Sequence, residues 1–167
     1  MIRQATDADL AALETVAAAM GTTHEDGYFA RCLQEQTDGN RTVLVADSDN
    51  GYLTGYVQLI WSPIYTPFKR LGIPEIQDLN VIPAARRQGI GEQLVIACED
   101  LARTRGTGSI GIGVGLHAAF GAAQRLYIRR GYMPDGAGAC YDDVPVRPYE
   151  MRPVDDQLTI KLVKDFV

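Results

Sequence analysis

The segment Arg86-Arg87-Gln88-Gly89-Ile90-Gly91 combines residue types that suit the binding of an anion. It lies between a predicted strand, residues 76–82, and a predicted helix, residues 92–105. A helix that follows a turn of small residues begins with backbone N–H groups that lack acceptors, at the positive end of the helix dipole. Phosphate binds readily there. Because two arginines add positive charge, the segment predicts a site for a phosphate-bearing ligand, although glycines in such turns can also serve packing alone.

Two common nucleotide motifs are excluded. No Gly-Lys-Ser/Thr sequence follows Gly91, which rules out a P-loop. Residues 111–115, Gly-Ile-Gly-Val-Gly, are similar to a dinucleotide fingerprint, but the third glycine comes one residue early and the motif lies inside a predicted strand. We therefore expect these glycines to allow close packing of the backbone.

Length and composition predict one soluble globular domain over residues 1–167, with 46% hydrophobic and 22% charged residues. The net charge of −5 and the lack of long basic tracts argue against nucleic acid as a partner. No apolar run is long enough to span a membrane, and the N-terminus lacks a secretory signal. Three widely separated cysteines form neither a disulfide pattern nor a zinc pattern, so we expect a cytoplasmic protein.

Hydrophobic periodicity and turn residues predict a chain that mixes strands and helices. The predicted strands are residues 2–4, 42–46, 52–60, 76–82, 109–115 and 158–163. The predicted helices are residues 7–20, 25–36, 92–105 and 118–130, the second with Phe29, Cys32 and Leu33 as its apolar stripe. Asn50-Gly51 predicts a hairpin turn between the second and third strands. Residues 61–72, with three aromatic residues and two prolines, are predicted to be an irregular loop. This order favours a mixed sheet with helices on both faces.

Three motifs within these elements resemble the GNAT superfamily of acetyl-CoA-dependent N-acetyltransferases. Arg86-x-x-Gly89-x-Gly91 matches the turn of that superfamily, and Leu79-Asn80-Val81-x-Pro83 is similar to the strand that enters it. Leu126-Tyr127-x-x-x-Gly131-Tyr132 is similar to its distal signature. The resemblance covers residues 2–132. It implies an α/β fold of the mixed α+β kind, with a central, mostly antiparallel twisted sheet of about seven strands and helices on both faces.

The resemblance also implies acetyl-CoA as the co-substrate, without a metal. The pyrophosphate would bind the backbone N–H groups of Gln88, Gly89, Ile90, Gly91 and Glu92. Arg86 or Arg87 would add charge to this contact or reach another phosphate. The pantetheine arm would lie along Leu79, Asn80 and Val81, where a backbone N–H could polarise the thioester carbonyl.

Attack on a thioester requires a neutral amine, and therefore a group that accepts the amine's proton. Glu75 and Asp78 are the candidate bases, with Glu75 favoured by its place in the family pattern and Asp78 close behind. A regular strand would point these two side chains to opposite faces, although a bulge could change that. Either one could also be an ordinary carboxylate at a strand end. Tyr127 is the candidate general acid for the leaving thiolate, with a core aromatic as the alternative.

Other residues depart from the pattern or carry no assigned role. Phe120 stands seven residues before Tyr127, where many family members have Asn, so the polar contact of that Asn to the cofactor is in doubt. His24 and His117 are too few and too isolated for a metal site, and we expect both at the surface or in loops.

The first hypothesis is an N-acetyltransferase that moves acetyl from acetyl-CoA to a primary amine of a small molecule, by direct attack in a ternary complex. One alternative is acetylation of a protein N-terminus or lysine. Another is a non-catalytic sensor that binds acetyl-CoA. We expect no nucleic acid or membrane partner, and an edge strand near the C-terminus could pair two copies into a homodimer.

Overall fold

The computed structural model describes residues 1–22 and 24–166. Contacts divide the chain into two compact units. The first unit is Met1–Trp61 with Ile76–Leu101, and the second is Ser62–Glu75 with Ala102–Val167. The described residues form a mixed α/β fold of eight strands and five α-helices, in which the pairing is mostly antiparallel.

The element bounds agree with most of the predicted ones. The strands are β1 Ile2–Gln4, β2 Arg41–Asp47, β3 Leu53–Ile60, β4 Glu75–Val81, β5 Ser109–Gly115, β6 Met133–Tyr141, β7 Val144–Pro145 and β8 Leu158–Asp165. The α-helices are α1 Leu10–Ala19, α2 Tyr28–Thr37, α3 Thr66–Leu71, α4 Ile90–Thr104 and α5 Gly121–Arg129. Three short 3₁₀ turns are also present: Asp7–Asp9 before α1, Pro83–Ala85 between β4 and α4, and Ala118–Phe120 before α5.

The first unit places its strands in the order β1-β2-β3-β4. The pairs β1–β2 and β2–β3 are antiparallel, and the predicted turn between β2 and β3 is confirmed by the left-handed backbone of Gly51, φ 79°. Its core is built from α1, α2, β2 and β3. The predicted apolar stripe of α2, Phe29, Cys32 and Leu33, is confirmed because all three are buried in that core.

The second unit places its strands in the order β5-β8-β6-β7, with antiparallel pairing throughout. The β5–β8 ladder runs without interruption from Ser109 opposite Asp165 to Gly115 opposite Thr159. A smaller apolar cluster lies beside it, formed by Tyr65, Phe68, Ile73 and Cys140.

The prediction of an irregular loop over residues 61–72 was wrong, because this segment contains α3. Pro67 lies in the first turn of α3, where its missing N–H costs nothing. Gly72 ends the helix with a left-handed backbone, φ 66°. Pro67 thus marks a helix start, and Phe68 is the buried residue of that helix.

Two strands were not predicted, β6 and β7. Pro134, Gly136 and Gly138 interrupt the apolar alternation that identifies a strand. The pairing of β6 with β8 shifts register between Pro134 and Ala139, which marks an irregular strand of the kind that period-based prediction misses. The count within the described residues is therefore eight strands rather than about seven.

The glycines of β5 allow close packing, as predicted. A Cβ on Gly111 would overlap the ring of Phe68, and one on Gly115 would overlap the ring of Phe120. A Cβ on Gly113 would lie 3.2 Å from Lys161 Nζ. Phe120 packs over Gly115 and edge-on to His117 at 4.7 Å between ring centroids.

None of the helices formed by residues 1–22 and 24–166 has the length and apolar character needed to cross a membrane.

Candidate active site

The turn between β4 and α4 has the backbone geometry of an anion site. A 3₁₀ turn, Pro83–Ala85, leads into it, and Arg87 (φ 62°) and Gly89 (φ 79°) both adopt left-handed conformations. Left-handed residues bring successive N–H groups of a turn toward one side, which forms a concave nest for an anion. Glycine adopts this conformation without strain, whereas at Arg87 it is costly. A strained residue in an exposed turn indicates a functional constraint.

The start of α4 adds to this geometry. The helix has 15 residues, long enough for a full dipole, and its first N–H groups belong to Ile90, Gly91 and Glu92. The residues from Arg86 to Gly89 are exposed to solvent. The predicted pyrophosphate residues therefore lie together, at the surface, at the positive end of a helix.

The two arginines of this turn have different environments. Arg86 Nε donates a hydrogen bond to the Val81 carbonyl oxygen at 3.1 Å, and its guanidinium lies 3.4 Å from Met20 Sδ. Arg87 makes no hydrogen bond or ion pair with any other described residue. Arg86 therefore closes the turn onto β4, while the guanidinium of Arg87 is available to a ligand.

The end of β4 is held tightly by β3 and by its own side chains. A Cβ on Gly55 would lie 2.5 Å from the Asn80 carbonyl oxygen and 3.3 Å from Val81 Cα, so only glycine fits there. Asn80 Nδ2 donates to the Tyr56 hydroxyl at 3.0 Å and to Asp78. Of the predicted pantetheine residues Leu79, Asn80 and Val81, Asn80 thus uses its side chain internally and offers a ligand only its backbone.

Asp78 occupies a bulge in β4. Its backbone is left-handed, φ 56°, inside a strand. Asn80 Nδ2 stabilises this conformation by donating to the Asp78 carbonyl oxygen at 3.2 Å and to Oδ1 at 3.0 Å. The bulge interrupts the alternation of side chains along β4, which is the possibility that the sequence left open for Glu75 and Asp78.

The Asp78 carboxylate is surrounded by neutral hydrogen-bond donors. Oδ2 accepts from Gln58 Nε2 at 2.8 Å and from the Tyr28 hydroxyl at 3.4 Å. Burial, and next the charge of Asp78, raise the pKa of both Tyr28 and Tyr56, so these phenols stay protonated at neutral pH. The carboxylate keeps 21% of its side chain exposed and is therefore open to a ligand on one side.

Polar residues on β2 and β3 support this arrangement. Gln58 is fully buried, and its Oε1 accepts a hydrogen bond from Arg41. Arg41 in turn pairs with Glu35 at 2.7 Å. Gln58 was not predicted as a site residue, although a polar residue within the apolar run of β3 is a signal that the sequence does contain. We refer to Tyr28, Tyr56, Gln58, Asp78 and Asn80 as the Asp78 network.

His24 lies beside the Asp78 network. It is in a loop, as expected, but it is not a surface residue, because only 15% of its side chain is exposed. Its ring stacks on that of Tyr28, with centroids 3.9 Å apart and planes 5° from parallel. Its Nε2 lies 3.8 Å from Asp78 Oδ2.

Glu75 has a different environment from that of Asp78. It is 1% exposed, and Lys161 Nζ binds its Oε1 at 2.6 Å. Lys161 also pairs with Asp143 and lies 5.1 Å from the centroid of the Tyr65 ring. Burial opposes the charge of this lysine, but Glu75 and Asp143 outweigh it and raise the pKa of Lys161. Glu75 is thus an enclosed carboxylate that already holds a cation.

Tyr127 lies on α5 in the second unit and is 4% exposed. Its hydroxyl makes no hydrogen bond with the other described residues, and its ring lies 6.0 Å from that of Tyr132. Burial raises its pKa, so the phenol keeps its proton at neutral pH. Because no described residue binds this hydroxyl, it is a candidate for contact with a ligand.

Comparison with known proteins assigns the family. Over 103 residues, 62% of this chain and 66% of the relative, the sequence is 29% identical to YhfO of Bacillus subtilis (strain 168), described as an uncharacterized N-acetyltransferase. The chain therefore spans about two thirds of the length of that relative.

Solved structures share the fold. Ribosomal-protein-alanine N-acetyltransferase from Brucella melitensis matches with a TM-score of 0.75 at 23% identity, covering 99% of both chains. The protein yncA from Salmonella typhimurium, solved with its cofactor acetyl-CoA, matches with a TM-score of 0.71 at 23% identity, covering 99% of this chain and 92% of yncA. Residues 10–132 match the acetyltransferase (GNAT) family, and the chain belongs to that family.

Proposed function

We propose that this protein transfers the acetyl group of acetyl-CoA to a primary amine of a small molecule. The observation that carries the proposal is the exposed turn before α4, where left-handed residues, a helix start and the unpaired guanidinium of Arg87 come together. These features suit a pyrophosphate. Family membership and the acetyl-CoA bound to yncA support the same donor.

On the donor side, backbone groups do most of the binding. The N–H groups from Gln88 to Glu92 hold the pyrophosphate, and Arg87 adds charge-assisted hydrogen bonds. Arg86 acts as the residue that closes the turn onto the Val81 carbonyl. The backbone of Leu79, Asn80 and Val81 binds the pantetheine arm, and one N–H there polarises the thioester carbonyl.

On the acceptor side, we assign the base to Asp78 in preference to Glu75. The Asp78 carboxylate is partly exposed and has only neutral donors in hydrogen-bond contact, so it keeps a net negative charge that attracts a cationic amine. The carboxylate of Glu75 is buried and already paired with Lys161. A substrate amine would have to displace Lys161 to reach Glu75.

Transfer then proceeds in one direct displacement. The cationic amine gives one proton to Asp78, and the resulting neutral amine attacks the carbonyl carbon, so that a C–N bond forms and the C–S bond breaks. The nitrogen of the adduct releases its second proton to water. The leaving sulfur takes its proton from Tyr127, whose raised pKa keeps the phenol protonated until the thiolate, a strong base in an apolar site, develops.

A small acceptor fits the surroundings of Asp78 better than a protein segment does. The carboxylate is recessed, with 21% of its side chain exposed, and the stacked rings of His24 and Tyr28 lie against it. A recessed carboxylate favours a compact amine, because its charge attracts a cation small enough to enter the opening. Acetylation of a protein N-terminus or lysine is therefore the alternative, and the acceptor panel described next distinguishes the two.

The test of the proposed function is release of CoA in the presence of a panel of acceptors. The panel contains small primary amines, a peptide with an N-terminal alanine and a peptide with an internal lysine. We expect acetyl-CoA to bind in calorimetry and only small amines to show a mass increase of one acetyl group. If a peptide is acetylated faster than the small amines, the acceptor is a protein rather than a small molecule.

Two further outcomes contradict the proposal more broadly. Binding of acetyl-CoA without turnover of any acceptor would make the protein a sensor of acetyl-CoA. No binding of acetyl-CoA would remove the donor assignment altogether.

Replacing Tyr127 by Phe removes one hydroxyl and keeps the buried ring. We expect kcat to fall by about 10- to 100-fold, because proton donation to the leaving group is lost, while the Kd for acetyl-CoA stays within about twofold. Tyr149→Phe is the matched control, since Tyr149 is fully exposed. If Tyr127→Phe turns over as fast as this control, Tyr127 is not the general acid.

The choice between the two carboxylates is tested by Asp78→Asn and Glu75→Gln, assayed side by side. Asn tolerates a left-handed backbone, so Asp78→Asn keeps the bulge and loses only the base; we expect kcat to fall by about 100-fold or more. Glu75→Gln breaks a buried ion pair and should lower the free energy of unfolding by about 3 kcal/mol while keeping kcat within a few fold. The reverse pattern would assign the base to Glu75.

A further inference from the structure

Gln58 is a polar side chain at a fully buried position of β3. Its neighbours along the strand, Val57 and Leu59, are also fully buried, and Gln58 itself has no exposed surface. A buried amide is tolerated only when its oxygen and its nitrogen both find partners, whereas an apolar side chain at the same place needs none. The amide of Gln58 therefore points to a role beyond packing, and its partners indicate which.

The partners of Gln58 fix the orientation of its amide. Oε1 accepts a hydrogen bond from Arg41, and Nε2 donates to Asp78 Oδ2 at 2.8 Å and to the Tyr28 hydroxyl oxygen at 2.9 Å. A guanidinium has only donors, and an ionised carboxylate has only acceptors. Turning the amide over would set two donors against each other on one side and two acceptors on the other. Hydrogen-bond donation therefore runs in one direction, from Arg41 through Gln58 to Asp78.

Arg41 is itself held in place beside Gln58. Its Nε and Nη2 both bind Glu35 Oε2 at 2.7 Å, and its side chain is 16% exposed. The side chain of Glu35 is 45% exposed, so solvent screens its charge more than that of Arg41. The guanidinium thus keeps a positive charge against the oxygen of Gln58. This charge polarises the amide and makes its N–H groups stronger donors.

The Asp78 carboxylate is bound by one amide on each of its oxygens. Gln58 Nε2 donates to Oδ2 from β3, and Asn80 Nδ2 donates to Oδ1 at 3.0 Å from β4. Because the two bonds come from different strands and reach different oxygens, they fix the plane of the carboxylate as well as its position.

The same hydrogen bonds favour the ionised form of Asp78. Burial disfavours a charged carboxylate, and only 21% of this side chain is exposed, but donors to the ionised form oppose that effect. The polar groups that face the carboxylate are those of Tyr28 on α2, Tyr56 and Gln58 on β3, Asn80 on β4 and His24 in the loop before α2. Among these groups, Gln58 is the one that links the carboxylate to a cation, Arg41.

We propose that Gln58 and Arg41 are positioning residues for the base: Gln58, polarised by Arg41, holds the Asp78 carboxylate ionised and in one orientation for the incoming amine. This inference rests on the proposed function, in which Asp78 is the base. Gln58 has no exposed surface, so it acts through Asp78 and does not contact the substrate. An ionised carboxylate attracts the cationic amine and is ready to accept its proton, so these two residues extend turnover to lower pH.

Three variants separate the parts of this arrangement. Gln58→Met keeps the length of the side chain and removes the amide. Gln58→Glu keeps the shape of the side chain and puts an acceptor where Nε2 donates to Asp78. Arg41→Met removes the cation and leaves the amide.

Gln36→Met is the matched control. The amide of Gln36, on α2, donates to the Ala5 carbonyl oxygen at 2.9 Å and accepts from the Val43 N–H at 2.8 Å. The control therefore also loses a glutamine amide that is bonded on both sides, but these partners are backbone groups and no carboxylate is involved. For each protein we would measure kcat and kcat/KM for the acceptor against pH, the Kd for acetyl-CoA and the free energy of unfolding.

We expect the acidic limb of the kcat/KM profile to move to higher pH by about one unit in Gln58→Met, because a carboxylate that loses a donor is protonated more easily. The shift should be larger in Gln58→Glu, where two carboxylates share one site, and smaller in Arg41→Met, where the amide remains. In Gln58→Met, kcat above this limb should fall by about 10-fold, since the carboxylate loses its fixed orientation.

Other quantities should respond differently. The Kd for acetyl-CoA should stay within about twofold in all variants, since none of these side chains belongs to the turn before α4. Gln36→Met should lower the free energy of unfolding and leave the acidic limb where the wild type has it.

Three results would overturn the inference in distinguishable ways. A lower free energy of unfolding with an unmoved acidic limb in Gln58→Met and Arg41→Met would make Gln58 a packing residue and leave the proposed function intact. If Gln58→Met does not fold, the limb of Arg41→Met decides by the same criterion. Wild-type turnover in Asp78→Asn would remove the base, and with it the role of Gln58. Failure of the wild type to acetylate any acceptor would remove the proposed function as a whole.

Discussion

The left-handed backbone of Asp78, in the middle of β4, is the constraint on which the proposed acceptor side of the site depends. Such a conformation costs of order 1–3 kcal/mol for a residue other than glycine. Asn80 offsets it by binding both the carbonyl and the carboxylate of Asp78, and Tyr56 accepts from the same amide. Gly55 permits the close approach of β3 that completes the arrangement. Several neighbours thus stabilise the bulge together, and the bulge directs the Asp78 carboxylate away from the strand.

Two carboxylates three residues apart on one strand have acquired different chemistry from their surroundings. Glu75 is enclosed and paired with Lys161, so it contributes to the interior of the second unit. Asp78 is held by neutral donors and partly exposed, so its charge remains available. The family pattern favoured Glu75 as the base, whereas the accessibility and pairing of the two groups favour Asp78. Position along the strand does not reveal that Lys161 of β8 pairs with Glu75.

The sequence was informative where local chemistry determines structure. The glycine turn before α4, the hairpin at Gly51 and the tight packing of the β5 glycines were all readable from residue type and spacing. The helix α3 was hidden because Pro67 and Gly72 mark helix ends as well as loops. The strands β6 and β7 were hidden by Pro134 and by glycines that break the alternation. Gln58 and His24 join Asp78 only through contacts distant in sequence, which no local pattern contains.

Whether the turn before α4 holds the pyrophosphate of acetyl-CoA is tested most directly by following the backbone amide resonances of this protein by NMR as CoA is added. We expect saturable shifts that are largest for the amides from Gln88 to Glu92, together with a shift of the Arg87 side chain, and weaker shifts at the same amides with inorganic pyrophosphate. If CoA binds and shifts other resonances while those of the amides from Gln88 to Glu92 stay unchanged, the turn before α4 is not the pyrophosphate site.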